Sequence, residues 1–102
     1  MENKGVPEKE IRRLARGFKA LHSVLRLRIL AALSDGESNV RDLESQLRVS
    51  QPLISWHLTQ LRQAGFVKAE RVGREVHYRL NPPTFQELVG NIETLLGFSL
   101  SD

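Results

Sequence analysis

The 102-residue sequence contains no cysteine, which removes disulfides, thiolate metal sites, thiol catalysis and thiol redox sensing together and fits a reducing compartment. It also lacks any apolar run long enough to span a bilayer. The charged start Met1-Glu2-Asn3-Lys4-Gly5 leads into no apolar stretch, so no membrane span and no secretory leader is expected, and the cytoplasm is the expected location. Aromatic side chains are scarce, one Trp, one Tyr and four Phe, and a chain this short has room for one core rather than an enclosed catalytic cleft. No nucleophile–base pair and no phosphate-cradling glycine loop is present, so neither an enzyme nor a cofactor is expected. With no internal repeat, low-complexity run or linker, residues 1–102 read as a single domain.

What charge there is lies unevenly. The formal net charge is only +3, but residues 46–79 hold six basic side chains against two acidic ones, whereas residues 80–102 hold no basic residue and three acidic ones. An excess concentrated in one stretch of an otherwise balanced chain points to a polyanionic partner for that stretch.

Hydrophobic spacing supplies the elements. Ile11, Leu14, Phe18 and Leu21 recur at helical intervals, predicting an amphipathic helix over about 8–21. Ser23 is placed to cap a second helix reaching Leu33, apolar over most of its circumference, and Asn39 with Asp42 opens a short third one. Ser50 is expected to cap a fourth helix, with Pro52 in its first turn, where the missing N–H costs nothing, and Gly65 as its stop. From Phe66 the period shortens to two. Phe66–Val72 and Glu75–Leu80 then form a hairpin about Gly73-Arg74, glycine standing where a type II′ turn needs it. A last helix, about 83–97, carries Phe85, Leu88, Val89, Ile92, Leu95 and Leu96. The fold class is therefore mainly α with a two-stranded β-hairpin wing: five helices in a winged helix-turn-helix.

That order assigns roles. Short polar side chains on the fourth helix suit bidentate and methyl contacts in a major groove, and Ser50, Gln51, Pro52, Ser55, Trp56, His57, Thr59 and Gln60 occupy it. Arg74 at the hairpin tip is placed for a minor groove, and Arg48, Arg62, Lys68, Arg71 and Arg79 for phosphates, which strengthen and orient rather than specify. His57 reads as a backbone partner or a structural side chain, since no cluster of ligands accompanies it.

The stretch from Leu21 to Pro82 resembles the ArsR family of bacterial transcriptional repressors. The resemblance rests on Arg26-Leu27-Arg28-Ile29-Leu30, Val40-Arg41-Asp42-Leu43, Ser50-Gln51-Pro52-Leu53-Ile54-Ser55-Trp56-His57-Leu58, Leu61-Arg62-Gln63-Ala64-Gly65-Phe66-Val67 and Gly73-Arg74-Glu75-Val76-His77-Tyr78-Arg79-Leu80. It implies double-stranded DNA as partner, an imperfect palindromic operator and a homodimer paired through the first and last helices. Ile11, Leu14, Phe18, Leu21, Phe85, Leu88, Val89, Ile92, Leu95 and Leu96 would line that seam. The apolar faces of those two helices argue independently for a dimer, as they exceed what one small core covers. Metal-sensing members carry a cysteine pair at the start of the third helix; Asn39 and Arg41 stand at those positions, and no histidine follows His77, so neither familiar metal site is expected. No effector is identified. A sensor for a small organic or anionic molecule, with a pocket at the dimer seam, and a protein-binding winged helix remain as alternatives.

Overall fold

The computed structural model describes residues 5–100. In chain order it comprises α1 (Glu8–Leu21), α2 (Val24–Leu33), α3 (Val40–Leu47), α4 (Gln51–Gln63), β1 (Val67–Val72), β2 (Glu75–Leu80) and α5 (Pro82–Leu96). Every predicted element is present, the last helix starting one residue earlier than expected because Pro82, like Pro83, sits in the first turn, where no N–H is needed.

The core is built where three helices and the wing root converge. Ile29, Leu33, Leu43, Ile54, Leu58, Leu61, Phe66 and Val67 are buried together, so the α2–α3–α4 trihelical unit and the start of β1 share one interior. Burying Ile54, Leu58 and Leu61 leaves Leu53 and Trp56 of α4 exposed and fixes which face of that helix turns outward. Gly17 lets α1 pack closely against α5 over Phe66: a Cβ there would lie 3.1 Å from a methyl of Leu88 and 3.8 Å from Phe66.

Caps form largely as the sequence predicts. The Ser23 hydroxyl accepts the Arg26 N–H at 3.2 Å and the Asn39 side-chain Oδ1 accepts the Asp42 N–H at 2.8 Å. Ser50 does not cap α4. Its side chain makes no bond to the helix, and instead the Glu44 carboxylate reaches across the turn to accept the Gln51 N–H at 2.8 Å. A carboxylate at a helix N-terminus meets both an orphan donor and the positive end of the dipole, so it outcompetes a hydroxyl. The turn itself places Arg48 in the left-handed region, φ 57°, which a non-glycine residue occupies at a cost of about 1–2 kcal/mol.

β1 and β2 pair antiparallel from Val67 opposite Leu80 to Val72 opposite Glu75. Gly73 has φ 63° while Arg74 does not share a positive φ, the signature of the expected type II′ turn. One feature had no periodic signal: Ser38 forms an isolated antiparallel bridge with Tyr78, through mutual N–H to carbonyl bonds of 3.0 and 2.8 Å, and so stitches the wing to the start of α3.

Candidate nucleic-acid interface

α4 presents its N-terminal half outward beside the wing. Gln51, Pro52 and Trp56 are exposed, and Ser55, Thr59 and Gln60 are half-buried along the helix flanks, the Thr59 hydroxyl donating to the Ser55 carbonyl at 2.9 Å. Ser50, lacking a capping role, is exposed at the head of the helix with its hydroxyl uncommitted to it. On the wing, Lys68, Arg71 and Arg74 are exposed, as are Arg48 in the turn and Arg62 on α4; none of these five has an ion-pair partner among the described residues. Arg79 differs from them, since its guanidinium meets the Glu70 carboxylate at 3.2 Å across the hairpin.

Behind the exposed face, Arg26 of α2 organises the middle of α4. Its Nε donates to His57 Nδ1 at 3.0 Å, its Nη1 donates to the Ala20 carbonyl at 3.0 Å, and its guanidinium lies 5.4 Å from the centre of the Trp56 ring. Trp56 and His57 meet edge to face with ring centres 4.9 Å apart. Burial, with the Arg26 charge as a second cause, holds the His57 pKa below its ordinary 6.5. An imidazole accepting at Nδ1 is neutral and carries its proton on Nε2. Its structural place is thus an acceptor for Arg26, while Trp56 as a residue remains 54% exposed.

Two further clusters position the wing, and the sequence reading had missed both. At its root the Asn81 amide donates to the Gly65 carbonyl at 2.8 Å and to Thr84 Oγ1 at 2.9 Å, and Thr84 Oγ1 donates to the same carbonyl at 2.7 Å. Gly65, φ 87°, ends α4 there. Along β2, His77 Nε2 faces Glu75 at 3.2 Å and Nδ1 faces Glu37 at 3.2 Å, while the other Glu75 oxygen accepts the Asn39 amide at 2.8 Å. Hydrogen bonding to Glu75 and then Glu37 raises the His77 pKa above 6.5, and the ring links the wing to the loop leading into α3. The two carboxylates approach opposite nitrogens of the ring and do not converge on a point. Among the described residues no group of three or more His, Asp or Glu side chains is arranged to hold a metal ion, and no helix is long and apolar enough to cross a membrane.

The residues expected at a dimer seam divide. Leu14 is buried within the protomer, and Leu21, Phe85 and Leu88 pack on its core; Phe18, Val89, Leu95 and Leu96 are exposed, with Ile11 and Ile92 partly so.

Comparison with known proteins places this architecture. Residues 23–69 match the family described as "bacterial regulatory protein, arsR family". The biofilm growth-associated repressor of Xylella fastidiosa is 33% identical over 88 residues, 86% of this chain and 77% of that protein. An ArsR-like transcriptional regulator from Rhodococcus sp. RHA1 superposes with a TM-score of 0.81 at 29% identity, over 87% of this chain and 84% of the other. A homodimeric winged helix-turn-helix DNA-binding domain from Mycobacterium bovis, solved in solution, gives a TM-score of 0.72 at 25% identity over 91% of this chain and 89% of that one.

Proposed function

The chain belongs to the arsR family of bacterial regulatory proteins, DNA-binding transcriptional regulators rather than enzymes, and from that premise we propose that it is a cytoplasmic, homodimeric repressor acting at an imperfect palindromic operator. The observation that carries this reading is the exposure of Gln51, Pro52 and Trp56 on α4 together with a wing whose exposed Arg71 and Arg74 have no ion-pair partner among the described residues. Cations left unpaired on a folded surface are available to displace counterions from phosphates.

In this mechanism α4 enters the major groove. Gln51 and Ser55 contact bases, Ser50, Pro52, Thr59 and Gln60 line the approach, and Trp56 lays its ring against the sugar–phosphate edge or a thymine methyl. Arg48, Arg62, Lys68 and Arg71 hold phosphates, and Arg74 at the type II′ turn reaches the adjoining minor groove. Arg79 contributes there only by exchanging Glu70 for a phosphate. The homodimeric Mycobacterium bovis domain and the open apolar faces of α1 and α5 support pairing through those two helices, which sets two α4 helices on one face of the duplex.

Fluorescence-anisotropy titration tests the reading, with duplex from upstream of the protein's own coding region against shuffled duplex of equal length at two salt concentrations. Tighter, salt-sensitive binding to the upstream fragment is expected. Gln51→Ala or Ser55→Ala should narrow the gap between the two duplexes, whereas Arg74→Ala should weaken both alike. An absence of salt-dependent binding to either duplex would overturn the reading in favour of a protein-binding winged helix.

A further inference from the structure

Between α1, α4 and α5 runs a groove of about 990 Å³, floored by Leu14, Phe66 and Leu88. Its size falls in the range of about 300–1,000 Å³ typical of small-molecule sites. The rim is cationic. Arg13, Arg16 and Lys19 rise from α1 and Arg26 from α2, against a single carboxylate, Glu87, that Arg13 already engages at 3.3 Å. Arg16 and Lys19 have no ion-pair partner among the described residues. The far wall belongs to α4, through Trp56, His57, Gln60 and Gln63.

Two observations separate this groove from the surfaces already described. Phe18, Val89, Ile92, Leu95 and Leu96, the more open apolar residues of α1 and α5, do not line it, while Leu14 and Leu88, also expected at the seam, do so from within the protomer's own packing. Its floor is concave and apolar, with Leu14 and Phe66 buried, and a rigid duplex laid along α4 meets only its rim. An apolar floor beneath unpaired cations suits a ligand that is itself divided: an apolar or aromatic body with one anionic group.

We propose that the groove binds a small amphipathic organic anion, a carboxylate, sulfonate or phosphate on an apolar body, and that its occupancy opposes DNA binding. Arg16 and Lys19 take the anionic group, and the apolar body lies on Leu14 and Leu88 against the Trp56 ring. The regulatory half of the proposal rests on the reading of α4 as the DNA-contacting helix. Trp56 and Gln60 belong to both surfaces, so ligand and duplex compete for the same side chains. That competition is a difference in ligand affinity between the free and DNA-bound states, the condition for a ligand to shift an equilibrium.

Trp56 is the sole tryptophan and lines the groove wall, so a ligand seated there alters the protein's tryptophan emission. The probe is anilinonaphthalene sulfonate, with uncharged phenylnaphthylamine as the matched neutral compound. Saturable quenching of Trp56 by the sulfonate is expected, with binding weaker by about tenfold for the neutral compound and for Arg16→Ala/Lys19→Ala. Gln63→Glu, which adds a carboxylate to the wall, should weaken it as well, while the charge-matched Lys9→Ala/Arg12→Ala, nearer the start of α1 and outside the groove lining, should bind as the parent does. Equal binding of the two compounds, full binding by Arg16→Ala/Lys19→Ala, or no quenching of Trp56 would overturn the site. In the second arm the sulfonate should release labelled duplex from the parent protein and not from Arg16→Ala/Lys19→Ala. If that variant instead loses DNA affinity while binding the sulfonate normally, the cations serve the duplex and the proposal falls. A protein that binds no DNA at all would sink the repressor reading, yet the quenching arm would still decide the groove.

Discussion

His57 and His77 lie on opposite sides of the ordinary imidazole pKa, and their effects on stability have opposite signs. The folded-state pKa of His77 is raised above 6.5, so the stabilisation from its two carboxylate partners is complete below 6.5 and is lost as pH rises through the elevated value. His57 is held below 6.5, so as pH falls past 6.5 the unfolded chain takes up that proton first and stability declines. Urea midpoints measured from pH 5 to 9 should therefore show the alkaline decline reduced in His77→Gln and the acid decline reduced in His57→Gln. A parallel displacement of the whole curve by either substitution would refute the assignment. Arg26 offers a third test at this scale: Arg26→Ala removes donors to His57 and to the Ala20 carbonyl and should cost about 1–3 kcal/mol. Arg26→Lys, keeping the charge without the planar fork, should recover less than half of the loss in the same unfolding assay. None of these pairings was legible in the sequence, since Arg26 and His57 are 31 positions apart and the Glu37–His77 contact spans 40. Spacing rules see neighbours within a helix or strand, not partners across a fold.

Elements were far more legible than the contacts between them. Apolar spacing together with cap and stop residues located the five helices, and the alternation of Val76, Tyr78 and Leu80 located the wing, because burial of one face imposes such periods and helix ends need caps. The turn between α3 and α4 shows where such reasoning stops. A serine before Gln51-Pro52 is the residue expected at a cap, yet Glu44, one turn back on α3, takes the role because the left-handed Arg48 folds the chain back toward it. An arginine in that conformation leaves no compositional trace. Arg48→Gly should raise stability, by up to about 1 kcal/mol once the greater freedom of the unfolded glycine is deducted, while lowering DNA affinity through loss of a phosphate contact. Chemical unfolding and anisotropy read the two effects separately, and affinity unchanged in the glycine variant would remove Arg48 from the interface. At the wing root the sign reverses: Gly65→Ala puts a Cβ 3.3 Å from Thr84 Oγ1 at a φ of 87°, and should destabilise by about 1–3 kcal/mol.

At the scale of the whole molecule the protomer is elongated. Its extents are 49 × 25 × 23 Å and its radius of gyration is 15.5 Å, against about 13 Å for a compact chain of this length. α1, α5 and the residues that follow α5 leave Phe18, Val89, Leu95, Leu96, Phe98 and Leu100 uncovered. Leu96→Glu, at the open end of α5, should convert the species seen in sedimentation from dimer to monomer and reduce operator affinity by tenfold or more, with little change in helical circular dichroism. A variant that remains dimeric would place the interface elsewhere. Helix α5 has no buried residue of its own, whereas α4 buries three. In the proposed homodimer, amide hydrogen exchange along α5 should accordingly slow as protein concentration rises, while exchange in the middle of α4 follows the folding of the single chain, which would make the persistence of the last helix a property of the pair.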